Sequence, residues 1–84
     1  MRLEFDPNAL EDMAFWKRTD KKKLEKIFKL ISAIQANPLS GIGKPEQLRH
    51  ELSGCWSRRI DKQHRIVYKF SHEVVNILSC RYHY

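Results

Sequence analysis

The chain has 84 residues and a net charge of +6, which bounds it to one small basic domain, residues 1–84, with a modest core. No apolar run approaches the ~18–20 residues of a membrane span, and residues 1–6 set acids among apolar side chains without a small-residue cleavage site. Neither an anchor nor a secretory leader is therefore expected, and Cys55 and Cys80, with no CxxC and no Cys/His spacing, exclude a zinc framework and suit reduced, packed thiols in a cytoplasmic protein.

Leu3 and Phe5 alternate with polar residues as in a short first strand. Asp6-Pro7 then reads as a helix start, with Asp6 at the N-cap and Pro7 in the first helical position. Leu10, Met13, Ala14 and Lys17 recur at helical spacing, and Ala9, Phe15 and Trp16 widen the apolar side. Thr19-Asp20 interrupts the pattern and caps a second helix. Its stripe is Leu24, Ile27, Phe28, Ile31 and Ile34, with lysines and Glu25 on the other faces. Asn37-Pro38 ends that helix, because the residue before proline avoids the helical region.

Residues 38–45 form a Gly/Pro-rich loop, after which the period changes to that of strands. Residues 47–52 are a short mixed strand and Ser53-Gly54 a turn. Residues 55–60 alternate, with Trp56, Arg58 and Ile60 on one side and Ser57 and Arg59 on the other. Residues 61–63 connect to a strand over 64–70, where Ile66, Tyr68 and Phe70 oppose Arg65 and Lys69. After a tight connection at 71–73, the near-continuous apolar run of the last strand suggests burial on both faces. The chain closes on Arg81-Tyr82-His83-Tyr84, a tail tied to a strand and hence ordered at the sheet's edge, with Arg81 and His83 on one side. Helices segregated before strands make an α+β domain: two N-terminal helices packed on one face of a small, mainly antiparallel sheet.

The charge favours a polyanionic partner, and its placement matters more than its sum. The lysines of the second helix surround an apolar stripe and read as a solvated face. On the strand half, Arg49, His50, Arg58, Arg59, His64, Arg65, Lys69 and Arg81 form a basic series, and arginine suits phosphate because its planar fork holds two oxygens. Glu46, beside Lys44, supplies a carboxylate that accepts a proton, and His83 an imidazole that gives or takes one near neutral pH. Carboxylate, guanidinium and imidazole are together the groups that cleave RNA without a metal. The spacing alone does not show that they converge.

Gly43-Lys44-Pro45-Glu46-x-Leu48, Leu52-Ser53-Gly54-x-Trp56-Ser57-Arg58-Arg59-Ile60, His64-Arg65-Ile66-Val67-Tyr68 and Cys80-Arg81-Tyr82-His83-Tyr84 together resemble the YoeB toxins, of the wider RelE/ParE toxin–antitoxin group. The resemblance covers essentially the whole chain. It implies a RelE-like microbial RNase fold and a ribosome-dependent mRNA endonuclease acting in the A site, without a cofactor. A YefM-type antitoxin would neutralise it, as an acidic, partly disordered segment folding across the basic face. The resemblance also implies roles: Glu46 as general base, His83 as general acid, Arg65 on the transition-state phosphate and Tyr84 positioning the substrate. Lys44, Arg49, Arg59 and Arg81 would contact RNA. A homodimer is a further expectation. Two positions depart from the family pattern, Arg49 where a lysine is expected and Cys55 where a bulky aromatic is.

Two other readings share these features. A pure ribosome or RNA binder would halt translation with the messenger intact, and a ParE-like gyrase poison would use the scaffold without proton-transfer groups. Glu46, Arg65 and His83 together favour cleavage over the first. The Lys-Pro-Glu block and the His-Tyr tail argue against the second.

Overall fold

Two helices lie against one face of a five-stranded sheet in the computed structural model, which describes residues 1–82. The elements are β1 (Arg2–Phe5), α1 (Pro7–Thr19), α2 (Lys21–Ala36), β2 (Glu46–Gln47), β3 (Trp56–Arg59), β4 (Arg65–Phe70) and β5 (Val74–Ser79), with a single 3-10 turn at His50–Leu52. The strand order is β1-β5-β4-β3-β2; β1 and β5 run parallel and the remaining pairs antiparallel. A parallel pair needs a long crossover, and here everything between β1 and β5 supplies it.

Asp20 is the joint of the helix pair. Its extended backbone ends α1, its N–H donates to the Trp16 carbonyl at 2.8 Å, and its carboxylate accepts from the N–H groups of Lys22 and Lys23 at 3.1 and 3.4 Å. Two helix ends are thereby satisfied by one residue. At the start of α1, Pro7 holds the first helical position as expected, but the Asp6 side chain makes no capping bond.

The core joins Ala9 and Trp16 of α1, Ile27, Leu30, Ile31 and Ile34 of α2, Ile66 and Tyr68 of β4, and Val75 and Ile77 of β5. Three apolar expectations are corrected by which arc of each helix meets the sheet. Leu30 rather than Phe28 completes the α2 stripe, because 27, 30, 31 and 34 form one narrow face and Phe28 falls beside it, 49% exposed. On α1 the face is centred on Ala9 and Trp16, which leaves Leu10 outside. The last strand is not buried on both faces. Val75 and Ile77 are covered by the helices, while Val74, Asn76 and Leu78 are half-buried opposite them.

Two expectations on the strand half are also revised. The strand over 47–52 shrinks to Glu46–Gln47, because after the Leu48 N–H has bonded to the Cys55 carbonyl the chain leaves the sheet at His50, whose positive φ starts the 3-10 turn. Arg58 does not join a solvent-facing basic series; it is fully buried on the helix side of β3. The Cys80 thiol is buried too, and burial together with the nearby Asp12 charge pushes it up to about 12. No helix among the described residues is long and apolar enough to cross a membrane.

Candidate active site

Glu46, Ser57, Val67 and Ser79 are successive cross-strand partners on β2, β3, β4 and β5, and paired residues point to the same face. That face is the one the helices leave open. The next row holds Arg59 opposite Arg65. Strand pairing alone therefore sets a carboxylate of the edge strand diagonally across from an arginine of the central strand.

The two meet. Arg65 Nη1 lies 3.5 Å from Glu46 Oε2 and donates to Ser57 Oγ at 3.4 Å. The guanidinium side chain is 15% exposed and the carboxylate 57%. A pair this open contributes little to stability, on the order of 0–1 kcal/mol. Its geometry is better suited to a ligand: a cation fixed by a buried serine, and beside it an accessible carboxylate.

The loop before β2 is held in place by backbone. The Gly43 carbonyl accepts from the Arg59 N–H at 2.6 Å. Gly43 has a φ of +86°, and a Cβ there would come within 2.9 Å of Leu30 and 3.2 Å of the Arg59 carbonyl oxygen. Only glycine fits this approach of loop to strand. Lys44 follows it, exposed, with Glu46 two residues on. Arg59 and Arg49 are exposed as well, the latter opening the 3-10 turn along an open groove that Glu46 also lines.

Lys44, Arg49 and Arg59 thus lie on the segments that hold Glu46 and Arg65. Arg81 is placed differently. Its guanidinium sits 3.5 Å over the ring of Phe15 in α1 and 4.4 Å over that of Tyr82. The strand ends at Ser79, so the expected alternation does not continue through the tail. His83 and Tyr84, the two remaining expected site residues, lie outside the described residues.

One residue of the site region had no assigned role in the sequence. His64 was one of a basic series; in the structure its ring is buried and accepts from the Tyr82 N–H at Nδ1, 2.7 Å. The signal available was its position beside Arg65 at the start of a strand. Among the described residues no three His, Cys, Asp or Glu side chains gather as a metal site requires.

Fold and site together define a small basic α+β domain that presents a carboxylate–guanidinium pair on the sheet face away from the helices. Comparison with known proteins names the group. A family model, the YoeB-like toxin of bacterial type II toxin–antitoxin system, matches residues 5–84, and the chain belongs to that family. The toxin YoeB of Mycobacterium bovis is 54% identical over 82 residues, 98% of this chain and 96% of its own. A YoeB/ParE toxin from Agrobacterium tumefaciens superposes with a TM-score of 0.94 at 41% identity, over 100% of both chains. A YoeB–YefM heterotetramer from Staphylococcus aureus contains a chain that superposes with a TM-score of 0.90 at 44% identity, over 100% of this chain and 98% of that one. YoeB of the same organism also has a structure as a dimer, with a TM-score of 0.92, 44% identity and the same coverage. The fold is the RelE-like one expected.

Proposed function

We propose that this toxin is a ribosome-dependent endoribonuclease that cuts translated mRNA in the A site by metal-independent acid–base chemistry. Glu46 takes the proton of a ribose 2′-hydroxyl, which attacks the adjacent phosphorus. Arg65 stabilises the extra negative charge of the phosphorane, and His83 protonates the departing 5′-oxygen. Tyr84 positions the substrate. A new P–O bond to the 2′-oxygen forms as the bond to the 5′-oxygen breaks, so no metal or cofactor enters the balance.

The observation that carries this reading is the Glu46–Arg65 contact at 3.5 Å on the open face. The 2′-oxygen and the non-bridging phosphate oxygens are close neighbours in the substrate, so base and charge stabiliser must be close neighbours too. Each proton transfer contributes typically about 10²–10⁴-fold, and a fixed donor at the developing charge about 10²–10³-fold. Lys44, Arg49 and Arg59, exposed on the segments that carry this pair, suit the flanking phosphates and ribosomal RNA. Arg81 enters through the tail it stacks against.

The partners proposed are a YefM-like antitoxin, in line with the Staphylococcus aureus complex, the ribosome with its messenger in the cytoplasm, and a second copy of the toxin, in line with the Staphylococcus aureus dimer. The test is translation in vitro with messenger 5′ ends mapped by primer extension, beside Glu46→Gln and His83→Gln. Cuts at A-site codons that vanish in both variants are expected. Arrested translation on intact messenger, unchanged in the variants, moves the reading to a binding-only inhibitor.

A further inference from the structure

Tyr82 has a φ of +65°, a left-handed conformation that an aromatic residue keeps only where its surroundings hold it. Both of its backbone groups are held by consecutive residues of one strand. Its N–H donates to His64 Nδ1 at 2.7 Å, and its carbonyl accepts from the Arg65 N–H at 3.2 Å. We infer that His64 is a positioning residue for catalysis: it fixes the backbone of Tyr82, the residue to which the two terminal residues are joined. The inference rests on the nuclease reading above, in which those residues supply the acid and the substrate contact.

The imidazole is held by a neighbouring ring as well as by its bond to Tyr82, and the backbone that carries it is fixed too. Its ring stands edge-on to Trp16 at 4.8 Å and 82°, and Trp16 in turn donates from its indole N–H to the Cys80 carbonyl at 2.9 Å. The His64 backbone N–H donates to Asp61 Oδ1 at 2.6 Å, and Asp61 is paired with Lys23 of α2 at 2.8 Å. The His64 carbonyl accepts from the Ile60 N–H at 2.9 Å. Because Nδ1 accepts, the ring is neutral with its proton on Nε2. A buried imidazole offering its one lone pair to a strained backbone N–H is a device for fixing backbone, not for binding solvent or phosphate. Arg65 belongs to the same device: the strand that aims its guanidinium at Glu46 also holds the Tyr82 carbonyl. Base, cation and the root of the tail are thus tied to one strand start, residues 64 and 65.

Three variants separate the hydrogen bond from the packing. His64→Leu keeps an apolar contact with Trp16 and removes the acceptor. His64→Asn returns an oxygen near the Nδ1 position, whereas His64→Gln places it one bond further out. Single-turnover and steady-state cleavage on programmed ribosomes should show kcat lowered roughly 10²-fold in Leu and Gln with KM unchanged, because displacement acts on the transition state alone. Asn should recover most of that loss, and the Tyr82 amide should exchange faster in Leu and Gln but not in Asn. If the Leu variant fails to fold, the Asn–Gln comparison decides. Wild-type rates in all the folded variants, or Asn as impaired as Gln, would overturn the inference. A wild-type protein that cuts nothing sinks the nuclease reading instead; the clamp then stands or falls on whether Gln alone, and not Asn, frees the Tyr82 amide.

Discussion

Arg58 and Arg65 carry the same guanidinium on neighbouring strands and put it to opposite uses. Arg58 is fully buried and has no carboxylate within reach among the described contacts; it donates to the carbonyls of Asn37, Ser40 and Ile42 and to the Tyr68 hydroxyl. Its work is to hold the loop between α2 and β2. Arg58→Met leaves those acceptors unpaired and should lower stability by about 2–3 kcal/mol, seen as a shift in the urea midpoint. Arg65 points the other way, beside Glu46. Arg65→Lys keeps the charge but loses the planar fork, so cleavage should fall about 10²-fold at nearly constant stability, in single-turnover assays on programmed ribosomes. Asp61 gives a prediction in pH. Burial raises its carboxyl, but the Lys23 hydrogen bond and charge and the His64 and Gln63 N–H groups outweigh it, and the result is about 2 against 3.8 in the free residue. A lowered value stabilises the fold above the unfolded value and loses that contribution as the pH falls through the folded one. About 1–2 kcal/mol should therefore vanish between pH 4 and pH 2, after allowance for partial exposure, and Asp61→Asn should flatten that part of the acid titration followed by circular dichroism.

At the scale of elements, the helix pair and the strand half depend on single residues that serve two neighbours. Asp20 closes α1 and opens α2. Asp20→Ala should cost about 1 kcal/mol in denaturant unfolding, the usual value of a lost N-cap, while leaving the Glu46–Arg65 face unaltered. The Asp20 cap, the proline positions and the turns are legible in the chain, because each acts through its immediate neighbours, whereas the Asp6 side chain makes no capping bond. The lengths of strands are less legible. Residues 47–52 alternate weakly, and β2 stops at Glu46–Gln47 because the chain turns away at His50, with a positive φ, into the 3-10 turn. Apolar spacing marks Leu10 and Phe28 and passes over Leu30, since it defines a broad arc of each helix and the sheet selects the part it covers.

For the whole molecule, four cations lie on the strand half: Arg59 and Arg65 on the sheet face that Glu46 shares, and Lys44 and Arg49 exposed on the segments that flank Glu46 in the chain. If these four meet phosphates of a single strand, binding to an RNA oligomer should weaken with salt at a log–log slope of roughly −3. Arg59→Ala should reduce that slope by about 0.7 in a fluorescence-anisotropy titration. The same charge suits an acidic antitoxin segment, so antitoxin and RNA are expected to compete for this face.

Fold class and family are legible in the chain alone, and so are the residues proposed for the site, because motif blocks and hydrophobic periods are local and survive without coordinates. The sequence placed Glu46 and Arg65 among the candidates but could not bring them together, since they are joined only through the register of β2, β3 and β4. Which arginine faces the core, and that His64 grips Tyr82, were decided by tertiary structure alone. The physical reason is common to both: a period of two says that neighbours point to opposite sides, and only packing says which side is inside.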